Sequence, residues 1–242
     1  MAIDCGTCPL RELELFGAMT AEELEFMTSF KTGELRAEQG TEILAEGASS
    51  TQLYTALSGM GIRYKTMAEG RRQVVGFVLP GDFVGLQSGV MGEMQHSVEA
   101  TTTMKLCVFN RSDFWRLFQA QPKRAFDLTH LAAREEQLLG EALVTVGQMN
   151  GVARVAWALY RFFQRLRALE MIENGRVPLP YRQQDLADAV GLSLVHTNKT
   201  LTRLREAGVA TWQDDALVVH KEVELARLGN VEPGALATRP LI

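Results

Sequence analysis

The sequence predicts an α+β chain: an N-terminal double-stranded β-roll of the jelly-roll kind, one long helix, and a C-terminal winged helix-turn-helix. Three observations lead there. Eleven of the 21 glycines fall between Gly33 and Gly92 and none between Glu93 and Leu139, so turn residues divide only the first part into short segments. After Pro122 the apolar residues change from alternation to a helical period. Between Arg182 and Arg205 a helix, a glycine and a second, capped helix follow one another.

In the roll, Thr41-Glu-Ile-Leu-Ala-Glu46, Gln52-Leu-Tyr-Thr-Ala-Leu57, Ile62-Arg-Tyr-Lys-Thr-Met67 and Gln73-Val-Val-Gly-Phe-Val-Leu79 read as short strands. Met104-Lys-Leu-Cys-Val-Phe-Asn110 reads as the closing strand. Arg63, Arg71 and Arg72 are expected as solvated hairpin charges. In the long helix Leu128, Leu131, Leu138, Ala142 and Met149 keep a near-heptad spacing that Glu135 interrupts. So narrow a stripe predicts the seam of a homodimer. The expected domains are residues 1–118 (roll), 119–149 (dimer helix), 150–226 (helix-turn-helix and wing) and 227–242 (tail).

The next helix is marked by Val152, Val155, Ala156, Leu159, Phe162, Phe163 and Leu166, and Gly175 with Pro178-Leu-Pro180 ends it. In the following pair Leu186, Ala187 and Val190 form an inner face, Gly191 suits the turn, and Ser193 suits the N-cap of the second helix. That helix turns Leu194, Thr197, Leu201 and Leu204 inward and leaves Val195, His196, Asn198, Lys199, Thr202 and Arg203 outward. Val209-Ala-Thr-Trp212 and Ala216-Leu-Val-Val-His220 complete the pattern as a wing. A helix so presented fits the major groove. Arg182, Ser193, Val195, His196, Asn198, Lys199 and Arg203 are therefore the candidate contacts, the cations for phosphates or guanine edges and His196 and Asn198 for base edges. Two such helices in a dimer imply double-stranded DNA with a pseudo-palindromic operator.

The charge distribution agrees with this. Residues 1–149 carry 13 basic against 19 acidic side chains, and residues 150–242 carry 12 against 10. The back of the chain is the part suited to an anionic partner. No run of 18 apolar residues and no leader-like start occur, and three cysteines do not make a disulfide scaffold. A cytoplasmic protein with no membrane partner is expected. Nor is there a phosphate-cradling loop, a nucleophile motif or a metal-spaced histidine pair, so an enzyme is not expected. A ligand-binding adaptor that never touches DNA remains as a different class, which a gel shift separates.

Taken together, these parts resemble the CRP/FNR family of bacterial transcription regulators over almost the whole chain. The most specific stretches are Leu79-Pro-Gly-Asp-Phe-Val-Gly85 and the helix-turn-helix. Cys8-Pro-Leu-Arg11, Gly70-Arg-Arg-Gln73 and Ser193-Leu-Val-His196 resemble an FNR-like branch common in alphaproteobacteria. The resemblance implies a homodimeric, sequence-specific regulator with RNA polymerase as a further partner. Where the family's recognition helix often carries Glu-x-x-Ser/Gly-Arg, this chain has Val195, Asn198 and Lys199, so the family's operator is not carried over.

The resemblance also bears on the signal. Cyclic-nucleotide members hold the phosphate with a Gly-Glu turn and an Arg-Ser/Thr pair; here those places are Gly85-Leu86 and His96-Ser97, so cyclic AMP is not expected. FNR-type oxygen sensors carry Cys-x-x-Cys near the N-terminus, a third cysteine six residues on and a fourth in the strand before the long helix. Cys5, Cys8 and Cys107 match three of these places and Glu14 stands at the remaining one. This implies an iron-sulfur cluster that reads oxygen, nitric oxide or redox state. Zinc, a thiol switch, another small-molecule effector, or a buried strand thiol beside an incidental pair stand as alternatives.

Overall fold

The computed structural model describes residues 3–242. They form two compact units, one built from the chain up to Glu135 together with Thr238–Ile242, the other from Glu136–Ala237. The long helix is thus divided between the units instead of standing as a domain of residues 119–149, and the last five residues belong with the roll.

The first unit opens with two short 3₁₀ turns, Cys5–Thr7 and Pro9–Glu12. There follow α1 (Ala21–Phe30), β1 (Lys31–Ala37), β2 (Glu42–Leu44), β3 (Gln52–Ser58), β4 (Gly61–Thr66), β5 (Arg72–Val78), β6 (Phe83–Val84), α2 (Leu86–Met91), β7 (Ser97–Ala100), β8 (Met104–Asn110) and α3 (Phe114–Ala120). The strands make two four-stranded antiparallel sheets, ordered β1-β8-β3-β6 and β2-β7-β4-β5. α4 (Pro122–Gln148) is the long helix.

Strand alternation decides what lies on each side of the first sheet. Leu106 and Val108 of β8, with Tyr54 and Ala56 of β3, enter one apolar core with Val78, Val98 and Ala100. Phe109 of β8 and Leu53 of β3 face the other way, into a second core with Phe26, Met27 and Phe30 of α1 and Leu117 of α3. Cys107 points to this second side and packs against that core. Each large side chain so buried contributes about 1.5–3 kcal/mol.

Leu128 and Leu131 of α4 lie in this second core, 2% and 9% exposed. The expected seam is therefore corrected at these two positions: they are held by the roll itself. Leu138, Ala142 and Met149 are half-buried, and Glu135 is engaged by Arg63. The apolar residues that α4 does expose are Phe126, Leu139, Leu143 and Val144. A seven-residue spacing tolerates this error, because neighbouring stripes of the same helix differ by a single residue.

The second unit continues with α5 (Gly151–Ala168), β9 (Arg176–Pro178), α6 (Gln183–Val190), α7 (Leu194–Glu206), β10 (Ala210–Gln213), β11 (Ala216–Val219) and α8 (Glu222–Leu228). α5 is capped by the Asn150 side chain, which accepts from the Ala153 N–H, and buries Val155, Ala156, Leu159, Phe162 and Leu166. The wing is a three-stranded sheet ordered β10-β11-β9. Its tip, Asp214 and Asp215, has φ of 52° and 53° at the two central residues of a hairpin turn. Among the described residues no helix is long and apolar enough to cross a membrane.

Candidate nucleic-acid interface and thiol pocket

The turn between α6 and α7 is built by two local devices. Gly191 ends α6 at φ +64°, where a Cβ would be strained and would meet Val146 Cγ1 at 3.1 Å. Two residues later the Ser193 side chain caps α7, accepting from the His196 N–H at 3.2 Å. α7 then buries Thr197, Thr200 and Leu204. Leu194, expected inward, is instead 39% exposed, and Thr200 takes an inward place.

Val195, Asn198, Lys199, Thr202 and Arg203 line a single shallow, open concavity. These are five of the six residues expected to face outward, and they bring two cations, an amide and a hydroxyl to one strip. That set can bind phosphate oxygens and read base edges. His196 departs from the strip. Its ring rests on the start of α5, where a Cβ on Gly151 would lie 2.5 Å from His196 Nε2. Arg182 also serves the fold. Its backbone N–H and its Nη2 reach the buried Asp185 carboxylate at 2.9 and 2.6 Å, fixing the start of α6, while most of its side chain stays exposed.

Arg154 carries weight that the sequence did not reveal. Its Nε donates to Met149 O at 2.8 Å, and its Nη1 lies 3.3 and 3.4 Å from the carbonyls of Val190 and Gly191. One guanidinium therefore satisfies the unpaired carbonyls at the end of α6 and ties them to the residue following α4. Three acceptors drawn from two distant segments leave no mark in the local pattern.

In the roll, Cys5, Cys8 and Cys107 open into one largely apolar pocket with Lys31, Leu241 and Ile242. The arm that carries the first two is pinned by Arg11, whose Nη1 donates to the carbonyls of Cys5 and Gly6 at 3.1 and 3.0 Å. Lys31 donates to Ile3 O at 2.5 Å and pairs with Glu34 at 2.7 Å. Burial raises the Cys5 thiol and pushes Cys107 up to about 11, against the opposing pull of the Lys31 ammonium. Both are therefore neutral thiols near pH 7. Glu14 is exposed and does not line the pocket.

The free space in the pocket is about 40 Å³, room for a few water molecules at most. Among the described residues no three His, Cys, Asp or Glu side chains stand close enough to share an ion. As placed, these residues do not fit an iron-sulfur cluster.

The region expected for a cyclic-nucleotide phosphate holds other chemistry. The Ser97 hydroxyl accepts from the Glu46 N–H at 3.0 Å. Arg63 is not a solvated hairpin charge: it is 8% exposed, its Nη1 pairs with Glu135 of α4 at 2.7 Å, and its Nη2 donates to Phe83 O at 3.2 Å. Burial, and then the neighbouring Arg63 charge, lower His96 to about 4.

The Leu79–Gly85 motif has a physical role in the same unit. Asp82 closes the turn by accepting the Leu79 N–H at 2.9 Å and pairs with Arg239 at 3.0 Å. Gly81, at φ +84°, lies so close to the Phe16 ring that a Cβ would come within 2.2 Å of it.

Comparison with known proteins agrees with both halves. Residues 34–121 match the cyclic nucleotide-binding domain family and residues 153–228 the Crp-like helix-turn-helix domain. The chain is 29% identical to the nitrogen fixation regulation protein FixK of Bradyrhizobium diazoefficiens, over 96% of this chain and 94% of that one. It is 30% identical to FixK of Azorhizobium caulinodans, over 70% and 68%. The solved structure of FixK2 from Bradyrhizobium japonicum superposes with a TM-score of 0.73 at 25% identity, covering 84% of this chain and 98% of that one. A roll of this topology followed by a capped recognition helix and wing, matched along nearly its full length by such relatives, belongs to the CRP/FNR family of transcription regulators.

Proposed function

We propose that this regulator acts as a homodimer that reads a pseudo-palindromic DNA site through α7 and is controlled by a thiol-directed signal in the roll. The observation that carries the DNA reading is the strip formed by Val195, Asn198, Lys199, Thr202 and Arg203. Lys199 and Arg203 supply the cations, Asn198 and Thr202 the hydrogen-bonding groups, and Val195 an apolar contact for a thymine methyl. The acidic wing tip, Asp214 and Asp215, is unsuited to phosphate, which leaves α7 as the reader.

Dimerisation is assigned to the exposed face of α4, where Phe126, Leu139, Leu143 and Val144 are uncovered. Gly140 and Gly147 support it. A Cβ at either position would meet nothing within 4 Å, so neither glycine serves packing within the chain, while both allow a second helix close approach. RNA polymerase is the further partner that the family implies.

For the signal, the engagement of Arg63 by Glu135 and the absence of an arginine beside Ser97 argue against a cyclic nucleotide. Three thiols that line one pocket without standing close enough to share an ion favour a thiol-directed reagent, an oxidant or electrophile, over a metal held as they are placed. A cluster requires the arm to be rebuilt, with Glu14 brought in.

Gel shifts with random genomic fragments, followed by Lys199→Ala and Arg203→Ala, test the DNA reading. Each variant should weaken binding roughly tenfold and reduce the salt slope by about one if the lost contact is to phosphate. No shift with any fragment favours the adaptor. Iron, sulfide and zinc analysis of protein prepared without oxygen tests the signal. Metal-free protein whose DNA binding ignores both air and thiol alkylation removes the thiol reading.

A further inference from the structure

The segment Thr238–Ile242 is held on the roll as a bound peptide is held. Arg239 bridges Phe16 in parallel: its N–H donates to Leu15 O at 2.8 Å and its carbonyl accepts from the Gly17 N–H at 3.0 Å. Its guanidinium lies 5.0 Å over the Phe16 ring, pairs with Asp82 at 3.0 Å and donates to Pro80 O at 3.4 Å. Leu241 and Ile242 are 4% and 5% exposed. The carbonyl of Leu241 accepts from Arg124 Nη1 at 3.3 Å and that of Ile242 from Thr55 Oγ1 at 2.5 Å. Main-chain pairing combined with side-chain pockets is how sheet edges recognise extended peptides. The same Leu241 and Ile242 form a wall of the pocket that contains the three cysteines.

We infer that Thr238–Ile242 is a releasable strap, and that a substituent carried on the pocket thiols unseats it. The free space is only about 40 Å³, so a group as bulky as a succinimide on Cys107 presses on the walls of the pocket, Leu241 and Ile242 among them. Cys107, Thr55 and Phe109 are fixed in the ladder of β3 and β8, and the arm is pinned through Arg11, whereas Leu241 and Ile242 belong to no strand or helix, although Ile242 reaches the second core. The strap is only five residues long, lies outside both sheets, and pairs main chain to main chain with the roll through Arg239.

Its seat survives departure, because the charges there have second partners. Asp82 keeps the Leu79 N–H, and Arg124 keeps Glu23 at 3.2 Å and Asp127 at 3.2 Å. Since the chain leaves this unit after Glu135 and returns at Thr238, seating the strap closes residues 136–237 into a loop anchored at both ends on the roll. Release opens that loop. The inference rests on the placement of the thiols and not on the signal they receive in the cell.

The test is hydrogen–deuterium exchange of the tail amides in the full chain, before and after treatment with N-ethylmaleimide, using Cys5→Ser/Cys8→Ser protein so that Cys107 is the only target. The thiol adds across the maleimide double bond, an S–C bond forms, the proton passes to the adjacent carbon and nothing leaves. Unmodified protein should protect the tail at least about tenfold, and modification should remove that protection. Arg239→Ala should loosen the tail and speed Cys107 labelling several-fold. Slow labelling in the parent that becomes rapid in Arg239→Ala also supports the strap. Three results overturn it: a tail that exchanges freely before modification, a tail equally protected in fully labelled protein, or Cys107 labelling that is the same with and without Arg239. Loss of DNA binding leaves these outcomes untouched, so the strap and the proposed function fail separately.

Discussion

The recognition strip of the second unit and the long-range ion pairs of the roll use charge in opposite ways. In the second unit Lys199 and Arg203 are exposed on one helix, and the whole strip lies within nine consecutive positions. In the roll three largely buried arginines are matched to carboxylates across the chain: Arg63 with Glu135, Arg124 with Glu23, Arg239 with Asp82. An exposed cation keeps its hydration and is free for a partner; a buried one is already committed. Substitution should therefore alter function in one unit and stability in the other.

The largest expected effect follows from Arg124. Its removal leaves Glu23 and Asp127 without their shared cation, their side chains only 4% and 16% exposed. Arg124→Ala should cost about 3–5 kcal/mol, read as a fall in the denaturant midpoint. Lys199→Ala should shift the same midpoint by less than about 0.5 kcal/mol. Similar shifts for the two variants would break the comparison.

α4 sharpens it, since the helix takes part in both units. Leu143→Asp, on the exposed face, should leave the roll folded and drive a dimer to monomer in sedimentation. Leu128→Asp, one face away and 2% exposed, should unfold the roll instead. A Leu143→Asp protein that remains dimeric removes the assigned face.

How much was legible in the sequence follows the same division. The order of parts, the closing strand at Met104–Asn110, the Ser193 cap and the outward strip of α7 were all readable, because each depends on neighbours a few residues away. Cys5, Cys8 and Cys107, expected through resemblance as ligands of one cluster, line one pocket, but among the described residues no three such groups stand close enough to share an ion, and Glu14 lies outside. The commitment of Arg63, the grip of Arg154 and the seat of the tail were not readable. Each joins residues that only the folded chain brings together. Leu128 and Leu131 show the limit of periodicity: a spacing names a stripe but not which surface covers it.

Acid should separate the units by a different route. His96 is held near 4 by burial, so the unfolded chain binds a proton there first; stability from this group is complete above pH 6.5 and declines as pH falls toward 4. Burial alone would raise Glu23, but hydrogen bonds from the Thr20 N–H, Lys123 and Arg124 outweigh it and hold the carboxyl at about 2. That contribution is complete above about pH 4.5 and is lost toward 2. Thermal melts of the roll should thus decline in two stages on acidification. His96→Gln should flatten the first and Glu23→Gln the second; a curve unchanged by both substitutions would detach these groups from stability.

A smaller effect than those of Arg124 and α4 is expected at Ser193, and it tests whether stability and function can be separated within one residue. Its side chain accepts the His196 N–H at 3.2 Å, one of the unpaired donors that open α7, and no other side chain caps that end. Ser193→Ala should cost about 1 kcal/mol, the usual worth of an N-cap. Part of that loss should appear as weaker DNA binding, because the fraying turn is the one that begins the recognition strip at Val195. Ser193→Asp restores an acceptor and suits the helix dipole, so its midpoint should return to that of the parent protein. It also sets a carboxylate beside the DNA phosphates, so its affinity should fall below that of Ser193→Ala and recover less with capping than stability does. If Ser193→Asp regains stability and DNA binding together, α7 does not approach DNA by its first turn, and the contact lies toward Arg203 instead.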